Sequence, residues 1–160
     1  MLKVKSRVQL RKSDRKKLFE GMEEKFGKVA RLEESKIESA RADDMEVLIV
    51  DGKILFFKYE GDWHPTVRGV LEYDINEYLV VVDQGAVKFV INGADIMSPG
   101  IVSADPVIKE GDIVVIKEEA HNKPLAIGKA LVPGTRMVAD SGKAVESLHY
   151  VGDEFWNLEL

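Results

Sequence analysis

Three histidines, a group of carboxylates and a few cations near glycines are the side chains of this 160-residue sequence that could do chemistry. His64, His121 and His149 lie far apart, and none stands at metal-ligand spacing from another. His64 precedes Pro65 at a predicted helix start, where capping or packing accounts for it. His149 falls in a predicted strand and reads as structural unless it lines a ligand face. Asp43, Asp44, Asp51, Glu60 and Asp62 gather carboxylates around one predicted hairpin. Such oxygen ligands suit Mg²⁺, so a small metal-dependent hydrolase is one reading, although acids are also common in turns and loops. There is no Walker-type loop, no nucleophile elbow and no Ser-His-Asp order. No catalytic residue, metal site or cofactor is expected, and a binding module is the better reading.

The elements that would position a binding site centre on residues 79–103. Leu79 to Val82 is an apolar β-branched run that reads as a buried strand. Asp83 follows at a helix N-cap, where its carboxylate can accept orphan backbone N–H groups. Gly85-Ala86 permits close approach at the helix start. Val87, Val90 and Ile91 fall at helical spacing, and Phe89 is expected in the core beside them. Gly93 fits the left-handed position that ends such a helix. Ile96 and Met97 read as core residues of the next segment, with Met97 an equal candidate for a flexible contact. Pro99-Gly100 is a turn. Glycines in turns need no ligand to explain them, so spacing alone leaves the site open.

The remaining chain is read in order. Residues 2–10 alternate apolar and polar with a break at Ser6, as in a half-exposed strand. Ser13 is a candidate N-cap for a helix whose Leu18, Phe19, Met22 and Phe26 recur at helical spacing and which Gly27 stops. Residues 29–41 fit a polar strand or a short helix. Met45–Val50, Asp51-Gly52 and Ile54–Tyr59 form a hairpin with a two-residue turn. Glu60-Gly61-Asp62 reads as a loop, and Pro65 suits the first turn of the next helix. A polar break near residues 73–77 marks a boundary, which gives domains at 1–75 and 76–160. Its shortness implies that they pack together. The second half is mostly β, with strands at Ile113–Ile116, Leu125–Leu131, Lys143–Val151 and Phe155–Leu158, and a helical turn opened by Pro133. Trp156 is expected in the core of the last strand. Short strands with Gly/Pro turns imply a small barrel.

Composition narrows the class. Hydrophobic content of 45% and charged content of 32% are ordinary for a globular protein. No run of about 18 apolar residues occurs, so no membrane span is expected. The basic N-terminus lacks the apolar segment of a secretory signal. The absence of cysteine excludes disulfides and thiol chemistry, and a cytoplasmic location is the default. Net charge is −5, unevenly spread: residues 1–75 hold 16 Lys/Arg against 15 Asp/Glu, and residues 76–160 hold 7 against 13. Lys3, Lys5, Arg7, Arg11, Lys12, Arg15, Lys16 and Lys17 crowd the first 17 residues against Asp14 alone. This patch is either a phosphate-backbone footprint or a solvated face.

Several blocks in order carry a resemblance. Asp83-Gln84-Gly85-Ala86, Gly93-Ala94-Asp95-Ile96-Met97, Pro99-Gly100-Ile101, Gly111-Asp112-Ile113-Val114, Ala126-Ile127-Gly128 and Ser141-Gly142-Lys143-Ala144-Val145 resemble the signature of the PUA domain. That is an RNA-binding module named for pseudouridine synthases and archaeosine transglycosylases. His64-Pro65-Thr66-Val67-Arg68 leading into Val82 to Val90, with Phe56-Phe57 upstream and Phe155-Trp156 at the end, is similar to the malignant-T-cell-amplified-sequence family. The resemblance implies an α+β architecture: a small N-terminal α/β pre-PUA domain packed on a C-terminal PUA β pseudo-barrel with short helices.

The resemblance also implies an RNA-binding protein of the translation machinery that acts in initiation, reinitiation or recycling. Its PUA half would hold a tRNA acceptor end or an rRNA element, and its N-terminal half would dock on the small ribosomal subunit. A partner similar to density-regulated protein would come in trans. The alternative is an RNA-binding accessory subunit for RNA modification. Single-stranded ends and unstacked bases are the usual targets of RNA readers. Main-chain N–H groups at Gly85, Ala86, Gly93 and Ala94 are expected to meet phosphate or ribose. Lys88, Arg136 and Lys143 are expected phosphate contacts, and Met97 an apolar one. Lys3, Lys5, Arg11, Lys12, Arg15 and Lys16 form the second, N-terminal candidate surface.

Overall fold

The computed structural model describes residues 2–27, 29 and 32–160. The chain divides into two compact units, Met1–Ile75 with Asn157–Leu160, and Asn76–Trp156.

The first unit is built on an antiparallel meander. Strands β1 (Val4–Gln9), β2 (Ile37–Ala42), β3 (Met45–Val50), β4 (Lys53–Tyr59) and β5 (Asp62–Pro65) lie side by side in chain order. Helix α1 (Lys12–Phe26) joins β1 to β2, and α2 (Val67–Tyr73) follows β5. Local chemistry sets the turns. Asp51 and Gly52 both take positive φ, 48° and 85°, as a two-residue hairpin turn matching the strand twist requires. The Asp51 carboxylate also accepts the Lys36 N–H at 2.8 Å. Ser6, where the alternation breaks, sits at φ 59° within a register shift between Lys5 and Val8.

Four details of this unit differ from expectation. Glu60-Gly61 is a second tight turn, with φ of 51° and 90°, and Asp62 opens a fifth strand paired with β4. Pro65 ends that strand opposite Phe56 instead of opening α2. Thr66 is the cap: its hydroxyl accepts the Gly69 N–H at 3.1 Å and donates to the Ile54 carbonyl at 3.0 Å. Helix α1 begins one residue before Ser13, and its cap position, Arg11, makes no side-chain cap bond. The stretch 29–41 contributes β2 from Ile37 and a buried Leu32, while residues 30 and 31 lie outside the described residues.

The second unit is a curled sheet. Its strands are β6 (Leu79–Val82), β7 (Ile96–Met97), β8 (Ile101–Ala104), β9 (Ile113–Glu118), β10 (Pro124–Ala130) and β11 (Lys143–Tyr150), ordered β7-β11-β10-β9-β6-β8. Only β6 and β9 run parallel; the other neighbours are antiparallel. The two edge strands, β7 and β8, are joined by the single 3-10 turn Ser98–Gly100. At no more than about 3.6 Å per residue, that turn forces the two edges of the six-stranded sheet close together. The sheet is therefore a near-barrel. The turn is pinned on both sides: Ser98 N–H donates to the Gly142 carbonyl at 2.8 Å, and Asp83 N–H to that of Gly100 at 2.9 Å. Val80, Val82, Val114, Ile116, Ala126 and Met137 fill the interior. Gly128 belongs to the same close packing, since a Cβ there would lie 2.4 Å from Val145 Cγ1.

Residues 154–157 form turns in place of the strand expected at Phe155–Leu158. Asp153 organises them by accepting N–H groups from Tyr150 at 2.9 Å and Trp156 at 2.6 Å. Phe155 is buried there, and Trp156 is half-buried instead of central to the core.

Candidate nucleic-acid interface

Helix α3 (Gln84–Val90) starts where Asp83 caps it, its carboxylate accepting the Ala86 N–H at 2.9 Å. Gln84 then turns its amide to Glu118 at the end of β9, 2.9 Å from Oε2. Glu118 is almost fully buried. The Gln84 bond, with backbone N–H bonds from His121 and Lys123, pulls its carboxyl down to about 2 against the cost of burial. This tie fixes the helix start on the sheet. Only Val90 of α3 is fully buried. Phe89, expected in the core, is 58% exposed, and Ile91 is exposed too. A helix of seven residues lying on a curved sheet presents one narrow stripe inward, and Val90 occupies it.

Gly93 takes φ 89°, and a Cβ there would sit 3.0 Å from the Tyr150 ring, so both backbone and space call for glycine. Its N–H donates to the Val90 carbonyl at 3.0 Å, and that of Ala94 to the Phe89 carbonyl at 3.0 Å. With Ala86 held by Asp83, three of the four main-chain donors expected to meet phosphate are bonded within the protein. What these small residues leave is space: Gly85 and Ala94 are exposed, and Gly100 comes so near Ala86 that a Cβ on Gly100 would be 3.1 Å from Ala86 Cβ.

From that point the Ser98–Gly100 turn leads to Gly142 and the start of β11. Lys143 pairs in register with Met97. Met97 is 48% exposed, which settles its two readings in favour of a surface residue. The Lys143 ammonium is 3.0 Å from Asp95 Oδ2, and Asp95 Oδ1 accepts the Ser147 N–H at 2.8 Å. The Ser147 N–H and then Lys143 hold the Asp95 carboxyl below its usual range. The structure thus brings Gly85, Ala86, Met97 and Lys143 onto one continuous rim, with Gly93 and Ala94 at the far end of α3. Lys88 is exposed on that helix, its Nζ 5.2 Å from the Phe89 ring. Arg136 is exposed in the 3-10 turn Gly134–Arg136, which packs on the 105–108 turn through Gly134 N–H to the Ile108 carbonyl. No described contact joins it to the rim. Asp95, paired with Lys143, and Phe89, exposed on α3, lie outside the candidates that the sequence offers; the Ala94-Asp95-Ile96 block held the signal for Asp95.

The N-terminal cations divide by role. Lys3, Lys5 and Lys12 are exposed. Arg11 pairs with Asp14 at 3.1 Å, and Lys16 lies 3.9 Å from Glu20. Arg15 is committed to the protein: it donates to the Ser35 and Glu33 carbonyls and covers the Phe19 ring at 4.9 Å.

The other chemical candidates are structural in geometry. Asp43 stands in the turn before β3 and Asp51 in the turn after it, with the six residues of β3, about 20 Å at strand rise, between the two turns. Among the described residues no three His, Asp or Glu side chains group as metal ligands. His149 is buried in β11, 2.9 Å from Asp153 and tilted against Phe155. His64 is half-buried against Phe57, and burial with nearby Lys25 lowers its pKa to about 4.

The curled sheet with a capped helix after its first strand defines the class. A family model for the PUA domain matches residues 78–151, and one for a domain of unknown function (DUF1947) matches residues 6–73. An uncharacterized protein of Methanocaldococcus jannaschii is 43% identical, with 99% of each chain covered. Translation machinery-associated protein 20 of Saccharomyces cerevisiae is 36% identical over 79% of this chain and 74% of its own length. The crystal structure of a hypothetical protein from Pyrococcus horikoshii OT3 superposes with a TM-score of 0.86 at 34% identity, covering 95% of this chain and 98% of that one. The chain belongs to the family of translation machinery-associated protein 20 and the malignant T-cell-amplified sequences, with a C-terminal PUA domain. No helix among the described residues is long and apolar enough to cross a membrane.

Proposed function

We propose that this protein is a non-catalytic RNA-binding protein of the translation machinery, and that its second unit holds an RNA 3′ end, that of a tRNA acceptor arm or an rRNA element. The observation that carries the reading is the rim of the PUA domain. Small residues at Gly85, Ala86 and Ala94 leave room for a backbone, Phe89 and Met97 offer exposed apolar surface for an unstacked base, and Lys88 and Lys143 supply charge. Arg136 extends the charge for a longer strand. Lys3, Lys5, Arg11, Lys12 and Lys16 form a separate basic surface for the small ribosomal subunit, with Arg15 as its internal brace. A partner like density-regulated protein acts in trans on the ribosome, and the site of action is the cytoplasm.

The name of the yeast relative and the PUA match support this reading. The experiment is RNA binding across a salt series, comparing intact tRNA with tRNA lacking its 3′ end. Preferential binding of the intact end is expected. Equal, weak binding of both, with the same salt slope, would contradict it.

A further inference from the structure

The candidate phosphate contact with the best-defined geometry, Lys143, is not a free cation. Its ammonium stands 3.0 Å from Asp95 Oδ2, and the carboxylate is itself fixed by the Ser147 N–H at Oδ1, 2.8 Å away. Both side chains remain accessible, Lys143 at 51% and Asp95 at 31%. The pair is pre-organised, because Lys143 opens β11 directly opposite Met97 of β7 and Asp95 immediately precedes β7. The neighbouring Ser98 N–H to Gly142 carbonyl bond, at 2.8 Å, holds the same rim.

We infer that Asp95 and Lys143 together form a hydroxyl-reading site, and that its ligand is the 2′,3′-diol of a 3′-terminal ribose. The inference rests on the proposed reading of this face as the seat of an RNA end. A donor and an acceptor side by side with no net charge complement a hydroxyl, which donates to Oδ2 and accepts from Nζ. They do not complement a phosphate. A phosphate drawn to Lys143 would bring its oxygens against the Asp95 carboxylate, and like charges at that range are strongly unfavourable. The ionised state of Asp95, maintained by the Ser147 and Lys143 contacts, keeps that repulsion in force at neutral pH. A terminal ribose presents two adjacent hydroxyls and only one flanking phosphate. An internal ribose presents one hydroxyl between two phosphates. Asp95 is thus the specificity residue of the site: it accepts a hydroxyl terminus and rejects a phosphorylated one.

The test uses the full chain and one acceptor-stem minihelix RNA in four forms, read by fluorescence anisotropy at fixed salt. The forms end in a free 3′-hydroxyl, a 3′-phosphate or a 2′,3′-dideoxy nucleotide, or are closed into a dumbbell with no end. The hydroxyl form is expected to bind about tenfold more tightly than the phosphate or dideoxy forms, as a site built for a hydroxyl rejects analogues lacking it. Asp95→Asn keeps an oxygen for the Ser147 N–H. It is expected to raise the affinity for the 3′-phosphate form to at least that of the hydroxyl form. Lys143→Gln, at an exposed position, is expected to widen the discrimination against phosphate. Equal binding of the three linear forms, or an unchanged hydroxyl-to-phosphate ratio in Asp95→Asn, would overturn the hydroxyl-reading site alone. Binding of the dumbbell as tight as the linear hydroxyl form would overturn the RNA-end reading beneath it.

Discussion

In the first unit Arg7, Arg11 and Arg15 turn back on the protein, to Glu38 at 2.8 Å, to Asp14, and to two backbone carbonyls. In the second unit, with far fewer cations and a net negative balance, Lys88 is exposed on α3 next to the exposed Phe89, and Lys143, paired with Asp95, stands opposite the exposed Met97. The first unit turns three of its arginines to internal contacts, whereas the acidic second unit sets two lysines, one of them paired with Asp95, beside exposed apolar side chains. Counting charge along the sequence therefore does not find where a cation stands beside exposed apolar surface. A base-stacking face needs only a few cations, placed where small residues let RNA approach.

The comparison is broken most directly by charge reversal in each unit. Lys143→Glu is expected to weaken binding of a 3′-ended RNA by about tenfold or more, because it sets a second carboxylate beside Asp95. Lys12→Glu, measured in the same titration, is expected to change it by less than about threefold, as for a rim charge. A larger effect at Lys12 would move the RNA site to the first unit.

Arg15→Ala sharpens the contrast. Its guanidinium bonds to the Glu33 and Ser35 carbonyls and its cover of Phe19 are lost, so urea denaturation is expected to show about 1–3 kcal/mol of destabilisation. The RNA salt slope should stay unchanged. Phe89→Ala should do the reverse. Stability is expected to hold within about 0.5 kcal/mol, since the ring is exposed. RNA affinity is expected to fall roughly fivefold through lost stacking.

The smallest effect is a pH dependence. Glu118 has a folded pKa of about 2, below its ordinary 4.5, so its contribution to stability is complete above 4.5 and is lost as pH falls from there towards 2. Acid denaturation of Glu118→Gln should be flatter than wild type in that window. Identical profiles would mean that the Gln84–Glu118 tie does not anchor α3.

Legibility in the sequence followed locality. The Asp83 cap, the Asp51-Gly52 turn and the Gly93 helix stop could be read because each depends on the backbone conformation of a few adjacent residues. Glu60-Gly61-Asp62 reads as a loop by composition, whereas Asp62 begins a strand whose identity depends on pairing with β4. A phenylalanine in a short helix usually packs on the sheet, but only the register of α3 on a curved sheet decides which of Phe89 and Val90 is covered. Phe155–Leu158 has strand composition, yet the Asp153 side chain accepts the Trp156 N–H and turns the chain there. For the candidate site, Lys143 and Met97 were legible as neighbours of the Gly142 and Pro99-Gly100 blocks. The Asp95 pairing was not, since it is made across the sheet by residues 48 positions apart.

The central claim, that the PUA domain and not the basic N-terminal patch meets the RNA end, is tested most directly by photo-crosslinking. A tRNA carrying 4-thiouridine as its 3′-terminal nucleotide would be irradiated with the full chain and the modified peptides mapped by mass spectrometry. Cross-links within residues 84–100 and 142–147, Phe89 and Met97 foremost, are predicted. Cross-links confined to residues 3–17 would contradict the account.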